Sequence, residues 1–131
     1  MKRQTTIQQL HNLVANFQNK RDWRKFQHPK DVAMSITIEA AELMELFQWK
    51  NQATLGNAKE MENDFKKIKQ DKEYMQRIKE ELADILIYCL SLGIVLDIDL
   101  GAIVKMKLKM NDKKYPVKKV RKDSNKFNLP R

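Results

Sequence analysis

The chain has 131 residues, 42% hydrophobic and 33% charged, with only 3 Gly and 3 Pro. This length fits one domain with a modest core, and the abundance of Leu, Ile, Ala, Glu and Lys predicts an all-α fold with few tight turns. The net charge of +9 favours anionic partners, either phosphates or nucleic acid. The single cysteine, Cys89, excludes an internal disulfide, and we expect it to be an ordinary core residue.

The longest apolar run, residues 82–96, is interrupted by Asp84. It is shorter than a membrane span requires, and no N-terminal signal pattern precedes it. We therefore expect a soluble cytoplasmic protein without a membrane partner.

The first helix is predicted to begin after Thr5 or Thr6, which form capping boxes with Gln8 or Gln9, and to end near Lys20. A polar connection follows that carries two aromatic residues, Trp23 and Phe26. Two interpretations stay open for this pair. The aromatic rings cover the end of a helix bundle, or they form a stacking wall for a nucleobase.

The second helix has Pro29 in its first turn and should end near Trp49. Helical projection places Glu39 inside the apolar stripe and Glu42 on its border, beside Trp49. Glu45 falls on the far edge, where it is either solvated or part of the same acidic site. Neither Glu39 nor Glu42 is expected to be freely solvated.

Residues 50–72 are polar and predict a loop followed by a short charged helix. The next helix, from about Lys72 to Leu96, carries Glu81 and Asp84. Because residues 82–96 are apolar nearly all round, we expect this helix to be central and buried.

The last predicted helix runs from Leu100 to about Lys114, with Asp97 or Asp99 as its cap. Its dense lysines either form a solvated face or face the carboxylates, where they could hold a polyphosphate. Residues 117–131 are basic and poor in apolar residues, which predicts a flexible tail after a domain spanning residues 1–116.

Two helices thus each bring an i, i+3 pair of carboxylates into the core. Four carboxylates together repel one another, so a bound divalent cation is the natural compensation. Ligation by oxygen alone suits Mg²⁺ or Mn²⁺ and disfavours zinc and redox metals. The implied chemistry is metal-assisted attack of water on phosphorus.

The motifs Glu39-Ala-Ala-Glu42 and Glu81-Leu-Ala-Asp84 resemble the ExxE and ExxD pair of the MazG-like nucleoside triphosphate pyrophosphohydrolases. The segments ELFQW at 45–49, RDW at 21–23 and EELADILIY at 80–88 resemble the dCTP pyrophosphatase branch most closely. Lys107 and Asn111, ahead of the Tyr115-Pro116 pair, belong to the same resemblance. It covers roughly residues 7–116.

This resemblance implies a homo-oligomeric bundle of four main helices plus a short one, either a dimer or a dimer of dimers. It implies hydrolysis of a nucleoside triphosphate to monophosphate and pyrophosphate, with Mg²⁺, or alternatively Mn²⁺, bound by Glu39, Glu42, Glu81 and Asp84. Glu42 is our choice for activating water, with Glu39 beside it as a further catalytic residue. The substrate-binding residues it implies are Trp23, Trp49, Tyr88, His28, Lys107, Asn111 and Lys114.

Two alternatives remain at this stage. A non-catalytic helical module could bind nucleic acid or protein through its basic last helix. Such a module would gain nothing from four carboxylates in its core. For this reason we do not expect nucleic acid to be a partner. A related all-α enzyme could instead hydrolyse another pyrophosphate compound. The segment between the two acidic motifs is also longer than is usual for the family, with residues 65–72 as the extra piece.

Overall fold

The computed structural model describes residues 2–50 and 53–122, together with all side chains among them except that of Lys122. Within this part of the chain there is no strand, which confirms the all-α prediction. The helices are α1 (Ile7–Lys20), a 3₁₀ helix (Arg24–Phe26), α2 (Pro29–Phe47), α3 (Ala58–Gln70), α4 (Lys72–Val95), α5 (Leu100–Lys114) and α6 (Val117–Lys122).

Local capping signals set the helix boundaries. At the start of α1, the backbone N–H of Gln9 donates to Thr6 Oγ1 at 3.1 Å, and the N–H of Thr6 donates to Gln9 Oε1 at 2.7 Å. This is the predicted capping box, formed by Thr6. Asp99, the second of the two predicted caps, begins α5 by accepting a hydrogen bond from the N–H of Ala102 at 3.0 Å.

Helices α2 and α4 pack against each other in antiparallel directions at the centre of the fold. At one end of the pair, Tyr74 near the start of α4 donates its buried hydroxyl to the carbonyl of Leu46 at 2.6 Å. The same ring meets Phe47 edge to face, with 5.8 Å between centroids. This anchor fixes the register, and it brings the middle of α2, with Glu39, opposite Glu81 on α4.

Helix α1 packs on another side of α4. Val14 joins Leu90 and Ile94 in a small buried cluster, against which Leu100 at the start of α5 also packs. Gly93 makes this close approach possible, because a Cβ atom there would lie 3.1 Å from Leu100 Cγ. The core therefore holds α1, α4 and the start of α5 together.

The structure has the predicted loop and short charged helix between α2 and α4, the helix being the 13-residue α3. Two other sequence predictions need correction. The beginning of the predicted flexible tail forms α6; residues 123–131 lie outside the described residues. The expectation that α4 is buried on all sides is wrong for Leu82, Leu86 and Ile87, which are 42–51% exposed. The reason is that α1, α2 and α3 do not enclose α4 within one chain.

No single helix among the described residues is long and apolar enough to cross a membrane. Helices α4 and α5 satisfy the length and composition criteria only as a pair, and that pair is bent by 104°.

Candidate active site

Carboxylates from α2 and α4 converge where the two helices cross. Glu39, Glu81 and Asp84 each place a carboxylate oxygen so that all three lie within 4.8 Å of one another. Glu42 is more exposed, but its carboxyl group is close enough to raise the pKa of both Glu39 and Glu81. The fold thus gathers Glu39, Glu81 and Asp84, and we call these three together with Glu42 the acidic cluster. The exposure of Glu42 differs from the expectation that it is not freely solvated, because it lies at the border of the helix contact.

The acidic cluster carries more negative charge than its surroundings compensate. Burial raises the pKa of Glu39 to about 7, and hydrogen bonding with Glu42 and Glu81 and repulsion by Glu42 and Asp84 act in the same direction. Burial likewise raises the pKa of Glu81, with Glu42 adding to the effect. Two ionised carboxylates cannot hydrogen bond to each other, so at neutral pH without a cation the cluster shares protons.

Two buried oxygens show what the cluster lacks. Glu39 Oε2 and Glu81 Oε2 have no hydrogen-bond partner within the part of the chain that the structure describes. In the same residues the ion pairs join Lys25 to Asp22 and Lys30 to Asp31, away from the cluster. A divalent cation would satisfy both oxygens, and a donor set made only of carboxylates is suited to a hard ion. The cluster is therefore a site that can hold a metal ion.

A cavity of about 400 Å³ adjoins the acidic cluster and shares Asp84 with it. It lies between α1, the connection that follows and α4, and its lining residues are Leu13, Val14, Phe17, Gln18, Trp23, Gln27, Asp84, Ile87, Tyr88 and Ser91. The volume falls within the range of small-molecule sites. We call this space the aromatic cavity, and it brings together two of the predicted substrate residues, Trp23 and Tyr88.

Trp23 stands at the edge of the aromatic cavity with defined neighbours. Its ring meets Phe17 edge to face at 5.7 Å between centroids, and the Arg21 guanidinium lies 3.7 Å from the Phe17 centroid. The 3₁₀ helix Arg24–Phe26, which sequence reasoning missed, follows directly and shapes this connection. Trp23 remains 44% exposed, so a face of the indole is available to a ligand.

Trp49, by contrast, is not part of the aromatic cavity within one chain. It is 89% exposed and lines a separate surface depression together with Thr54, Glu60 and Asp64. Its φ of 68° lies in the left-handed region, which is rare for a bulky residue. Trp23 and Trp49, both predicted to bind substrate, therefore line different spaces within a single chain.

Four other predicted substrate residues lie away from the cavity lining. The imidazole Nδ1 of His28 accepts a hydrogen bond from the N–H of Lys30 at 3.2 Å, which makes His28 the cap of α2. Lys107, Asn111 and Lys114 belong to α5, which packs on α1. Their contacts with substrate stay predictions. Glu45 is exposed and is not among the carboxylates that gather, which favours the solvated alternative.

Sequence reasoning missed three polar side chains in the aromatic cavity. Gln18 is buried on the inner face of α1, Ser91 is fully buried on α4, and Gln27 comes from the connection. A signal was available for the first two. Gln18 follows Val14 by one helical turn, and Ser91 interrupts the apolar run of α4, so both polar groups occur where apolar residues were expected.

The fold and site together define an all-α protein with a cluster of acids that can hold a metal ion. The MazG-like family model matches residues 34–128. The chain is 35% identical over 127 residues to dCTP pyrophosphatase 1 of Rattus norvegicus, covering 96% of this chain and 69% of the relative. It is 32% identical over 124 residues to dCTP pyrophosphatase 1 of Homo sapiens, covering 93% and 66%.

A solved structure supports the same conclusion. The crystal structure of a pyrophosphatase from Archaeoglobus fulgidus DSM 4304 superposes with a TM-score of 0.69 at 34% identity, covering 88% of this chain and 97% of that one. The chain belongs to the MazG-like family. It is a nucleotide pyrophosphohydrolase, and the alternative of a non-catalytic binding module is set aside.

Proposed function

We propose that this chain is a Mg²⁺-dependent nucleoside triphosphate pyrophosphohydrolase that prefers dCTP or a modified pyrimidine deoxynucleotide. The observation that carries the proposal is the acidic cluster with its two unpartnered buried oxygens, placed next to the aromatic cavity. Aromatic stacking tolerates any base. The relatives named dCTP pyrophosphatase 1 support cytosine as the base.

Glu39, Glu42, Glu81 and Asp84 would hold the ion, which when bound neutralises phosphate charge and lowers the pKa of water. Glu42 is the most exposed of the four, so we assign it the role of orienting the attacking water and accepting its proton, beside Glu39. A bond forms between the water oxygen and the α-phosphorus, while the bond from that phosphorus to the bridging oxygen of the β-phosphate breaks. Monophosphate and pyrophosphate leave.

The remaining predicted residues are assigned by their positions. Trp23 and Tyr88 contact the base in the aromatic cavity, next to the phosphates at the acidic cluster. Lys107, Lys114 and Asn111 contact phosphate oxygens, and Trp49 and His28 border the substrate. Because Trp49 and α5 lie outside the cavity lining of their own chain, we assign these contacts to a neighbouring copy.

Assembly as a homodimer or a dimer of dimers follows from the same proposal. Leu82 and Leu86 on α4 and Met34 and Ile38 on α2 form i, i+4 pairs that are all about half exposed. Apolar side chains in this number are typical of a subunit interface.

We expect light scattering to give at least twice the mass of one chain. Leu86→Glu should dissociate the assembly and lower turnover, because a charge cannot be buried at an apolar interface. Leu55→Glu is the matched control, since Leu55 is exposed in a loop outside these helices and should tolerate the charge. A monomeric, fully active native chain would contradict this assembly.

We place the enzyme in the cytoplasm, where nucleoside triphosphates are made and used. The unpaired Cys89 is compatible with a reducing compartment. If nucleotides are not the substrates, the acidic cluster still suits another pyrophosphate compound, which is the second candidate.

The test of the function is pyrophosphate release from a panel of deoxynucleoside and ribonucleoside triphosphates, including dCTP and a 5-substituted dCTP. With Mg²⁺ we expect equimolar pyrophosphate and monophosphate, fastest from the cytosine deoxynucleotides, and no release with excess chelator. Mn²⁺ should support the reaction as a second hard ion. Release of orthophosphate would contradict the proposed bond cleavage. No product from any nucleotide would shift the assignment to the second candidate.

A further inference from the structure

We propose that Gln18, oriented by Ser91, is a specificity-determining residue that selects nucleobases with an exocyclic amino group over those with a carbonyl at the same position. This inference rests on the proposed function, because it requires the aromatic cavity to receive a base.

The position of Gln18 in the aromatic cavity is the first step. Gln18 and Ser91 are 7% and 0% exposed and form the cavity floor, whereas Trp23 and Phe17 are 44% and 48% exposed and form its rim. Asp84 connects the cavity to the acidic cluster. A nucleotide with its phosphates at the cluster would therefore place its base between rim and floor, with one edge toward Gln18.

The second step is that the hydrogen bonds of Ser91 favour one orientation of the Gln18 carboxamide. Ser91 Oγ donates its only proton to the carbonyl of Ile87 at 2.9 Å, so toward Gln18 it can only accept. Gln18 Nε2 donates to Ser91 Oγ at 2.6 Å. This pair fixes which end of the carboxamide faces Ser91. Gln18 Oε1 accepts no hydrogen bond from any residue that the structure describes, and it is not sealed from solvent.

Gln27 supplies an independent observation. Its Oε1 is buried and has no hydrogen-bond partner among the described residues, and its side chain lines the same cavity. A buried carbonyl oxygen without a donor is unfavourable by roughly 1–3 kcal/mol. The aromatic cavity is thus lined by two carboxamides whose oxygens accept no hydrogen bond from the described residues, and this points to a donor on the ligand.

The chemistry of the bases then decides which substrates fit. The amino groups of cytosine and adenine can donate to Gln18 Oε1. The carbonyl oxygens of uracil, thymine and guanine occupy the corresponding position and would face another acceptor, leaving buried groups unpaired. Turning the carboxamide to suit them would break the hydrogen bond that Ser91 donates to Ile87, so the protein adapts to these bases only at a cost. The contact with Gln18 should therefore favour cytosine and adenine nucleotides over those of uracil, thymine and guanine.

The experiment compares kcat/KM for dCTP and dTTP in the native chain, in Gln18→Met and in Ser91→Ala. We expect the native chain to prefer dCTP by at least about tenfold, the value of one neutral hydrogen bond of about 1.4 kcal/mol. Gln18→Met, which keeps the length of the side chain but removes the acceptor, should lose most of this preference, because dCTP loses its hydrogen bond and dTTP no longer faces an acceptor. Ser91→Ala should reduce the preference for dCTP by raising kcat/KM for dTTP, because without the serine hydroxyl the Gln18 carboxamide turns more easily.

Asn16→Met is the matched control, since it makes a comparable change on the exposed side of α1 and should leave the ratio unchanged. An unchanged ratio in a folded Gln18→Met protein would overturn the inference. If that variant does not fold, an unchanged ratio in Ser91→Ala has the same meaning. If the native chain hydrolyses no nucleotide, the proposed function fails; calorimetry with dCMP and dTMP then decides separately, and equal affinities overturn the role of Gln18.

Discussion

Replacing Asp84 by Asn should lower pyrophosphate release by at least about a hundredfold, the usual scale for losing a group that holds a metal or stabilises transition-state charge. Asp84 belongs to both the acidic cluster and the aromatic cavity, so in the proposed binding mode its carboxylate lies between the phosphates and the base. The substitution keeps the shape of the side chain and removes one negative charge. The binding of Mg²⁺, measured by calorimetry, should weaken in parallel.

The matched control for Asp84→Asn is Glu80→Gln on the same helix. Glu80 is exposed and hydrogen bonds to Gln76 at the surface, so the control removes the same charge from α4 without touching the cluster. Circular dichroism should show both variants folded. Full activity with normal Mg²⁺ affinity in Asp84→Asn would refute the assignment of the cluster as the metal site.

The metal-free protein should lose thermal stability as the pH rises from about 4.5 toward 7. The pKa of Glu39 is about 7 in the folded chain and 4.5 as its ordinary value. Between these values the folded state binds more protons than the unfolded state, so the free energy of unfolding falls as the pH rises. The loss is complete above about pH 7, where Glu39 is ionised in both states.

Saturating Mg²⁺ should reverse this trend, since the ion binds the ionised cluster and therefore stabilises the fold more as the pH rises. Glu39→Gln should remove most of the pH dependence, and it should melt higher than the native chain at pH 8 without metal while lacking activity. His28→Gln, which changes a residue outside the acidic cluster, is the matched comparison for Glu39→Gln. Equal slopes in the native chain and Glu39→Gln would show that the cluster is not the source.

Much of the fold followed from the sequence because its helix boundaries depend on local chemistry. Thr6 with Gln9, Pro29 and Asp99 act within one turn of their own positions, so no knowledge of the tertiary structure was needed. The acidic cluster was also predictable, since an i, i+3 pair shares a helix face and charged groups on an apolar face must meet a partner.

Other features depend on which surfaces meet, and periodicity does not contain that information. The apolar character of α4 predicted burial for Leu86, but it does not reveal whether the covering surface comes from the same chain. Trp49 and Lys107 matched family motifs, yet within one chain they lie outside the cavity lining. The pairing of Gln18 with Ser91 arises only when α1 packs on α4, so residues 73 positions apart become neighbours.

The clustered acids and part of the wall of the aromatic cavity come from different helices, and this affects how substrate selection can be changed by mutation. All four clustered acids belong to α2 and α4, whereas α1 has no acidic residue and supplies part of the wall of the aromatic cavity. Under the proposed function, substitutions at the cavity-lining positions of α1 change which base is accepted and leave the clustered acids in place. A library confined to Leu13, Phe17 and Gln18, which line the cavity and spare the core residue Val14, is a practical starting point for redesign.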